Sequence, residues 1–156
     1  MRIHLIAVGK KMPEWVNSGF SEFSKRMPPE LQINLVEITP SVRNKTTPIE
    51  KNIKEEGERF QSAIPSNSRL IVLDEKGKNF SSIELSKKME DWFPQGQDIA
   101  IVIGGADGID DRIKQQANES WSLSSFTLPH ALVRVIVAEQ LYRAWSILKG
   151  HPYHRE

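Results

Sequence analysis

The residue types best suited to chemistry are concentrated near the carboxyl end of the sequence. The last six residues include His151, Tyr153, His154 and Arg155, and they follow a segment that carries Arg143. An imidazole titrates near neutrality, an aromatic ring stacks on a nucleobase, and a guanidinium binds phosphate. This combination indicates an RNA-binding site, whereas the alternative is an ordinary frayed chain end without function.

Three turns form a second candidate site, because ligands of parallel α/β sheets bind where the strands end. Predicted strands end at Leu73 and Asp74, at the glycine-rich residues 104–108 (GGADG), and within residues 123–129. Glycines allow a ligand to approach the backbone closely, but they also suit any tight turn. The spacing matches neither GxGxxG nor GxxxxGK[ST], so the usual dinucleotide and nucleoside-triphosphate fingerprints are absent from the sequence.

Several other chemistries lack the residues they need. The sequence has no cysteine, which excludes disulfides, thiolate zinc sites and cysteine nucleophiles. It contains no GxSxG motif, so a serine hydrolase is not indicated. His151 and His154 flank Pro152, which opposes a helix that could present both imidazoles to one ion, and no metal site is predicted.

Composition favours one globular domain spanning residues 1–156. The net charge is +1, with 38% hydrophobic and 26% charged residues, which fits neither a disordered chain nor a membrane protein. Charge is unevenly distributed, since both ends are basic and the middle is acidic. The basic ends could meet a polyanion or be ordinary solvated surface. Without cysteines or a signal peptide, a cytoplasmic location is expected.

The spacing of apolar residues predicts alternating strands and helices. The predicted strands cover residues 3–8, 31–38, 69–73 and 98–103, with a fifth inside 123–129. The predicted helices cover residues 13–26, 48–63, 81–93, 110–119 and 129–148, and residues 39–47 form a polar loop. This order predicts a three-layer α/β fold with a mainly parallel sheet.

The last predicted helix is apolar around most of its circumference. Such a helix has to be covered on several sides, and a small domain offers few. We therefore expect one side to meet a second copy of the chain in a homodimer. The alternative is a helix that is central to its own monomer.

Several long segments resemble the bacterial ribosomal large subunit methyltransferase H family of the SPOUT class. The resemblance rests on IVIGGADG, on SLSSFTLPHALVRVIVAEQLYRAWSILKGHPYHRE and on the opening LIAVGKKMPEWV. It implies an α/β fold with a C-terminal trefoil knot, a homodimer and S-adenosylmethionine as cofactor. It also implies methylation of N3 of a pseudouridine in a stem-loop of 23S ribosomal RNA. Because the net charge is only +1, a free hairpin should bind poorly, and the assembled ribosome is the expected substrate.

The resemblance also implies which residues form each part of the site. Cofactor-binding positions would be Leu73, Gly104, Gly105, Leu123, Ser124, Ser125, Phe126, Thr127 and Leu128. For Leu73, Phe126 and Leu128 the alternative is simple core packing. Catalytic and RNA-binding positions would be Arg143, Tyr153, His154 and Arg155, and Arg134 is either a further RNA contact or a structural ion-pair residue.

Transfer to N3 requires loss of its proton, which makes a base or an anion-stabilising cation useful. His154 is the natural proton acceptor, and Arg143 or Arg155 the natural cation; the sequence does not choose among them. Two other functions remain open at this point: a non-catalytic RNA-binding module, and a SPOUT methyltransferase that acts on transfer RNA.

Overall fold

A computed structural model describes residues 1–155 and contains a five-stranded sheet in which all pairings between neighbouring strands are parallel. The strands are β1 Arg2–Val8, β2 Gln32–Ile38, β3 Arg69–Lys78, β4 Ile99–Ile103 and β5 Glu119–Trp121. Their order in the sheet is β2-β1-β4-β3-β5. The predicted parallel α/β fold is confirmed.

Helices cover both faces of this sheet. They are α1 Glu14–Ser24, α2 Ile49–Ala63, α3 Ser82–Trp92, α4 Asp111–Gln116 and α5 His130–Lys149. A proline immediately precedes α1, α2 and α5, where its fixed φ suits the start of a helix. The start of α3 is closed by reciprocal hydrogen bonds between Ser81 and Glu84, the capping-box arrangement.

The central strands divide their side chains between two apolar cores. In β1, Ile3 and Leu5 face the core formed with α1, α3 and α5, whereas Ile6 faces the core formed with α2 and α4. Strand β4 alternates in the same way and is buried along its whole length. The near-continuous apolar pattern of β4 therefore has the predicted cause, burial on both faces.

The fifth strand lies earlier in the sequence than predicted. Strand β5 occupies Glu119–Trp121, helix α4 ends at Gln116, and residues 122–129 form an irregular loop. The prediction of a strand within 123–129 and of a helix reaching residue 119 was wrong. The position of β5 is set by its contacts with β3. The Leu70 backbone N–H donates to Asn118 Oδ1 at 2.8 Å, and Ile71 pairs with Glu119.

Strand β3 also extends beyond residue 73, to Lys78, through an irregularity in its pairing with β5. The close approach needs a glycine: a Cβ on Gly77 would lie 2.5 Å from the carbonyl carbon of Trp121. Asp74 and Glu75 belong to this extension and lie near the carboxyl ends of the neighbouring strands.

Helix α5 packs against α1, α3 and the sheet within one chain. Among residues 1–155, the exposed large apolar side chains belong to other elements: Trp15, Val42, Ile49, Ile83, Phe93 and Phe126. Other elements of the same chain thus cover much of α5, which agrees with the alternative of a helix central to its own monomer. The homodimer stays a prediction. None of the described helices is both long and apolar enough to span a bilayer.

Candidate functional site

A cleft of about 400 Å³ opens beside residues 73–75 of β3, at the ends of β4 and β5 and at the start of α5. Eight of the nine predicted cofactor-binding residues line it: Leu73, Gly104, Gly105, Leu123, Ser124, Phe126, Thr127 and Leu128. Ser125, the ninth, belongs to the same loop but does not line the cleft. The sheet topology therefore brings together three segments that are up to 55 positions apart in the sequence.

The glycine-rich turn after β4 presents backbone to the cleft. The Gly108 N–H donates to the Gly105 carbonyl at 3.2 Å, which closes the turn. A Cβ on Gly105 would lie 3.3 Å from Val8 Cγ1 and 3.5 Å from Glu56 Oε1. Both neighbours belong to the α2 side of the sheet, so a side chain at this position would point away from the cleft.

The buried carboxylate of Glu56 is linked through Arg43 to the 104–108 turn. Glu56 is 1% exposed and accepts the Ser41 N–H at 3.0 Å and the Arg43 guanidinium at 3.2 Å. The Arg43 Nε also donates to Asp107 Oδ2 at 2.8 Å, and Asp107 lies in the turn. Burial lowers the pKa of Arg43, whereas its interactions with Asp107 and Glu56 raise it. These interactions together have the larger effect, so the pKa of Arg43 lies above its ordinary value. Arg43 therefore links the 39–47 loop, α2 and the turn.

The loop after β5 forms the opposite wall. The Phe126 backbone N–H donates to Ser124 Oγ at 2.9 Å, and Ser122 Oγ donates to the Ser124 carbonyl at 3.2 Å. These bonds hold a compact turn in which the Phe126 side chain is 82% exposed. A large ring left in solvent at the mouth of a cleft is available to cover a ligand, so core packing does not account for Phe126.

One ion pair lies on the cleft wall, among the residues that the structure describes. Lys114 Nζ lies 3.2 Å from Asp74 Oδ2, and the Lys76 backbone N–H donates to Asp74 Oδ1 at 3.1 Å. Burial raises the pKa of Asp74, but these two donors outweigh it, and the pKa lies below its ordinary value. Asp74 was recognisable from its place at the end of the predicted strand 69–73. The role of Lys114 depends on how α4 packs, and no local pattern indicated it.

The tail, residues 151–155, folds back onto α5 rather than fraying. The Tyr153 hydroxyl donates to Glu139 Oε1 at 3.0 Å, and Arg143 donates to the same carboxylate at 2.6 Å. The Tyr153 ring centroid lies 4.7 Å from that of Tyr142 and 5.0 Å from the Arg143 guanidinium carbon. Burial and the bond to Glu139 both raise the pKa of Tyr153. Tyr153 thus anchors the tail.

The two neighbouring tail residues are placed differently. His154 is half-buried, and its Nδ1 is buried without a hydrogen-bond partner among residues 1–155. Arg155 is exposed. None of Arg143, Tyr153, His154 and Arg155 lines the cleft, which lies at the opposite end of α5. One chain therefore brings together most of the predicted cofactor-binding residues but does not bring the tail to them.

Arg134 serves the fold. It is 1% exposed and pairs with Glu37 Oε2 at 2.7 Å, and it donates to the carbonyls of Val8 at 3.1 Å and Gly9 at 2.9 Å. Of the two interpretations offered by the sequence, the structure supports the structural ion pair. Within the described part of the chain, no cluster of three or more potential ligands is arranged to hold a metal ion.

Comparisons with known proteins bear on the family and the fold of this chain. A family model described as "Predicted SPOUT methyltransferase" matches residues 1–154. Two relatives named "Ribosomal RNA large subunit methyltransferase H" come from Hydrogenovibrio crunogenus, 50% identical over 100% of both chains, and Saccharophagus degradans, 52% identical over 99% of this chain and 100% of the relative. A solved structure, a probable methylase family protein from Haemophilus influenzae Rd KW20, is similar in fold. It has a TM-score of 0.57 and 16% identity, covering 97% of this chain and 69% of that chain.

Proposed function

Because the chain belongs to the ribosomal RNA large subunit methyltransferase H family of SPOUT methyltransferases, we propose that it methylates N3 of a pseudouridine in 23S ribosomal RNA with S-adenosylmethionine as cofactor. The observation that carries this proposal is the cleft at the strand ends. Its walls include eight of the nine residues that the family resemblance assigns to the cofactor. Membership of a methyltransferase family also sets aside the non-catalytic RNA-binding module.

The cleft fits such a cofactor in size and chemistry. Ligand pockets typically range from about 300 to 1,000 Å³, and about 400 Å³ falls within that range. Leu73, Leu123 and Leu128 offer apolar surface to a purine ring, and the 104–108 turn offers backbone groups to a ribose. The cofactor would supply an activated sulfonium methyl group, so the chain has mainly to position the reactants.

The tail supplies the groups suited to the RNA. We assign His154 as the proton acceptor for N3–H, and Arg155 as the cation that faces the phosphates or the developing anion. Arg143 and Tyr153, joined through Glu139, hold the tail on α5. In this arrangement Arg143 and Tyr153 position His154 and Arg155, which meet the substrate.

The separation of tail and cleft supports a homodimer. Helix α5 has 20 residues and is about 30 Å long, and the cleft and the tail lie at its opposite ends. Two copies packed with their α5 helices antiparallel would bring the tail of each chain to the cleft of the other. We propose this arrangement, together with the trefoil knot that the family resemblance implies, as the architecture of the working enzyme.

Mass mapping of 23S ribosomal RNA tests the proposed reaction directly. RNA from a strain without this protein should lack one methyl group on a pseudouridine. Purified protein with S-adenosylmethionine should restore that group on ribosomes from the same strain. An unchanged methylation pattern in the deletion strain would contradict the proposal, and a methyl group lost from transfer RNA instead would favour the alternative substrate.

A further inference from the structure

The charged side chains of the cleft lie together in one part of its wall. Among the described lining residues, those that are charged at neutral pH are Asp74 and Glu75 on β3 and Lys114 on α4. The remaining wall consists of glycine backbone, serine and threonine hydroxyls and apolar side chains, apart from His130 at the start of α5. The cleft is thus chemically divided into a charged part and an almost uncharged part.

The ion pair in the charged part is held by contacts within the protein and is still accessible to solvent. The Asp74 side chain is 19% exposed and is held from two sides, by Lys114 and by the Lys76 N–H. The Lys114 side chain is 36% exposed, and its ammonium carries three donors. Both groups can therefore accept a further partner from the cleft without first leaving one another.

S-adenosylmethionine has two chemically different ends. Its adenosine end is uncharged and suits the leucine and glycine walls, whereas its methionyl arm carries a carboxylate and an ammonium. Charged groups that leave water need partners of opposite charge. The cleft wall, with two carboxylates and one ammonium, has a net charge of −1, which complements a ligand whose sulfonium gives it a net positive charge.

We infer that Lys114 binds the carboxylate, and Asp74 the ammonium, of the methionyl arm of the cofactor. Each ligand charge would then lie beside the opposite charge of a pair already formed in the protein, so little side-chain ordering is needed on binding. This inference rests on the proposed function, because it presumes that the cleft takes S-adenosylmethionine. It assigns binding roles to two residues outside the glycine turn and the 123–128 loop.

Calorimetry with three probes on the full-length protein tests the inference. S-adenosylmethionine and S-adenosylhomocysteine both carry the amino-acid arm, and 5′-methylthioadenosine lacks it. Lys114→Met should weaken the first two by about ten- to a hundredfold, the usual effect of removing a charged hydrogen-bond partner. It should leave 5′-methylthioadenosine within about twofold. Asp74→Asn should show the same selectivity, and Lys114→Arg should retain most of the affinity.

Lys51→Met is the matched control, because Lys51 lies on α2 and does not line the cleft. It should change none of the three affinities. Equal weakening of all three probes by Lys114→Met and Asp74→Asn would overturn the inference and leave the pair a purely structural role. Unchanged affinity for S-adenosylmethionine would overturn it as well. Failure of the wild type to bind any probe would instead contradict the cofactor of the proposed function.

Discussion

At the scale of single residues, the exposed ring of Phe126 offers a direct test of the cleft. Because the side chain is 82% exposed, its removal should cost the folded chain little. If the ring covers the adenine, Phe126→Ala should weaken S-adenosylmethionine binding by about tenfold or more, the usual value of a base–aromatic stack. Calorimetry measures the loss. Ile49→Ala, at another exposed apolar position, should bind normally, and a normal affinity in Phe126→Ala would exclude the stacking role.

Variants of Tyr153 test whether this residue anchors the tail or takes part in the chemistry. Tyr153→Ala removes the ring that packs on Tyr142 and Arg143, so methyl transfer to ribosomes should fall by at least about tenfold while cofactor affinity stays unchanged. Tyr153→Phe keeps the ring and loses only the bond to Glu139, so its activity should fall less. Equal losses in the two variants would show that the hydroxyl, rather than the ring, is what matters.

At the scale of elements, Arg43 connects the 39–47 loop to the turn after β4. Arg43→Met removes the guanidinium partner of the buried Glu56 and frees Asp107, which should cost about 1 to 3 kcal/mol of stability. Hydrogen exchange should then accelerate in residues 104–108. Lys45→Met, in the same loop, is the control and should leave this exchange unchanged. Unaltered exchange in Arg43→Met would mean that the turn does not depend on the loop.

Strand β5 depends on Glu119 in a way that pH should reveal. Burial raises the pKa of Glu119, but bonds from Lys88, Trp121 and Arg69 outweigh it, and the folded-state pKa is below the ordinary value. The carboxylate therefore stabilises the fold above the ordinary glutamate pKa, about 4.3, and this contribution is lost as pH falls through the lower folded-state value.

Glu119→Gln removes that dependence. At neutral pH the variant should be less stable than the wild type by about 1 to 3 kcal/mol, and the difference should shrink on acidification below pH of about 4. Urea unfolding at several pH values measures both effects. A difference that stays constant with pH would show that the ionised carboxylate is not what holds β5.

At the scale of the whole molecule, the proposed dimer predicts complementation between inactive variants. Thr127→Trp should obstruct the cleft, and His154→Ala should disable the tail, so each alone should transfer little methyl group. If each site combines the cleft of one chain with the tail of the other, a refolded equal mixture should recover roughly a quarter of wild-type activity. Sedimentation should show about twice the 17.8 kDa chain mass. A mixture as inactive as its components would contradict the shared site.

The sequence alone determined most of the elements and the residues of the cleft. Strands β1 and β4 and the helices that follow prolines could be placed because apolar periodicity and proline geometry act between neighbouring residues. The predicted cofactor-binding residues, eight of which line the cleft, could be named because they follow predicted strands and match a family pattern. Apolar periodicity, proline geometry and the family pattern can all be recognised in the sequence without knowing how the chain packs.

Features that depend on contacts between distant segments became known from the packing of the folded chain. Strand β5 has three residues, too few for a periodic pattern, and is defined by its pairing with β3. Lys114 joins Asp74 across 40 positions of sequence because α4 packs beside the end of β3. Arg134 becomes a buried ion-pair residue because α5 crosses the end of β1. The distance between tail and cleft likewise follows from the length and direction of α5, since residues close in sequence need not share a site in space.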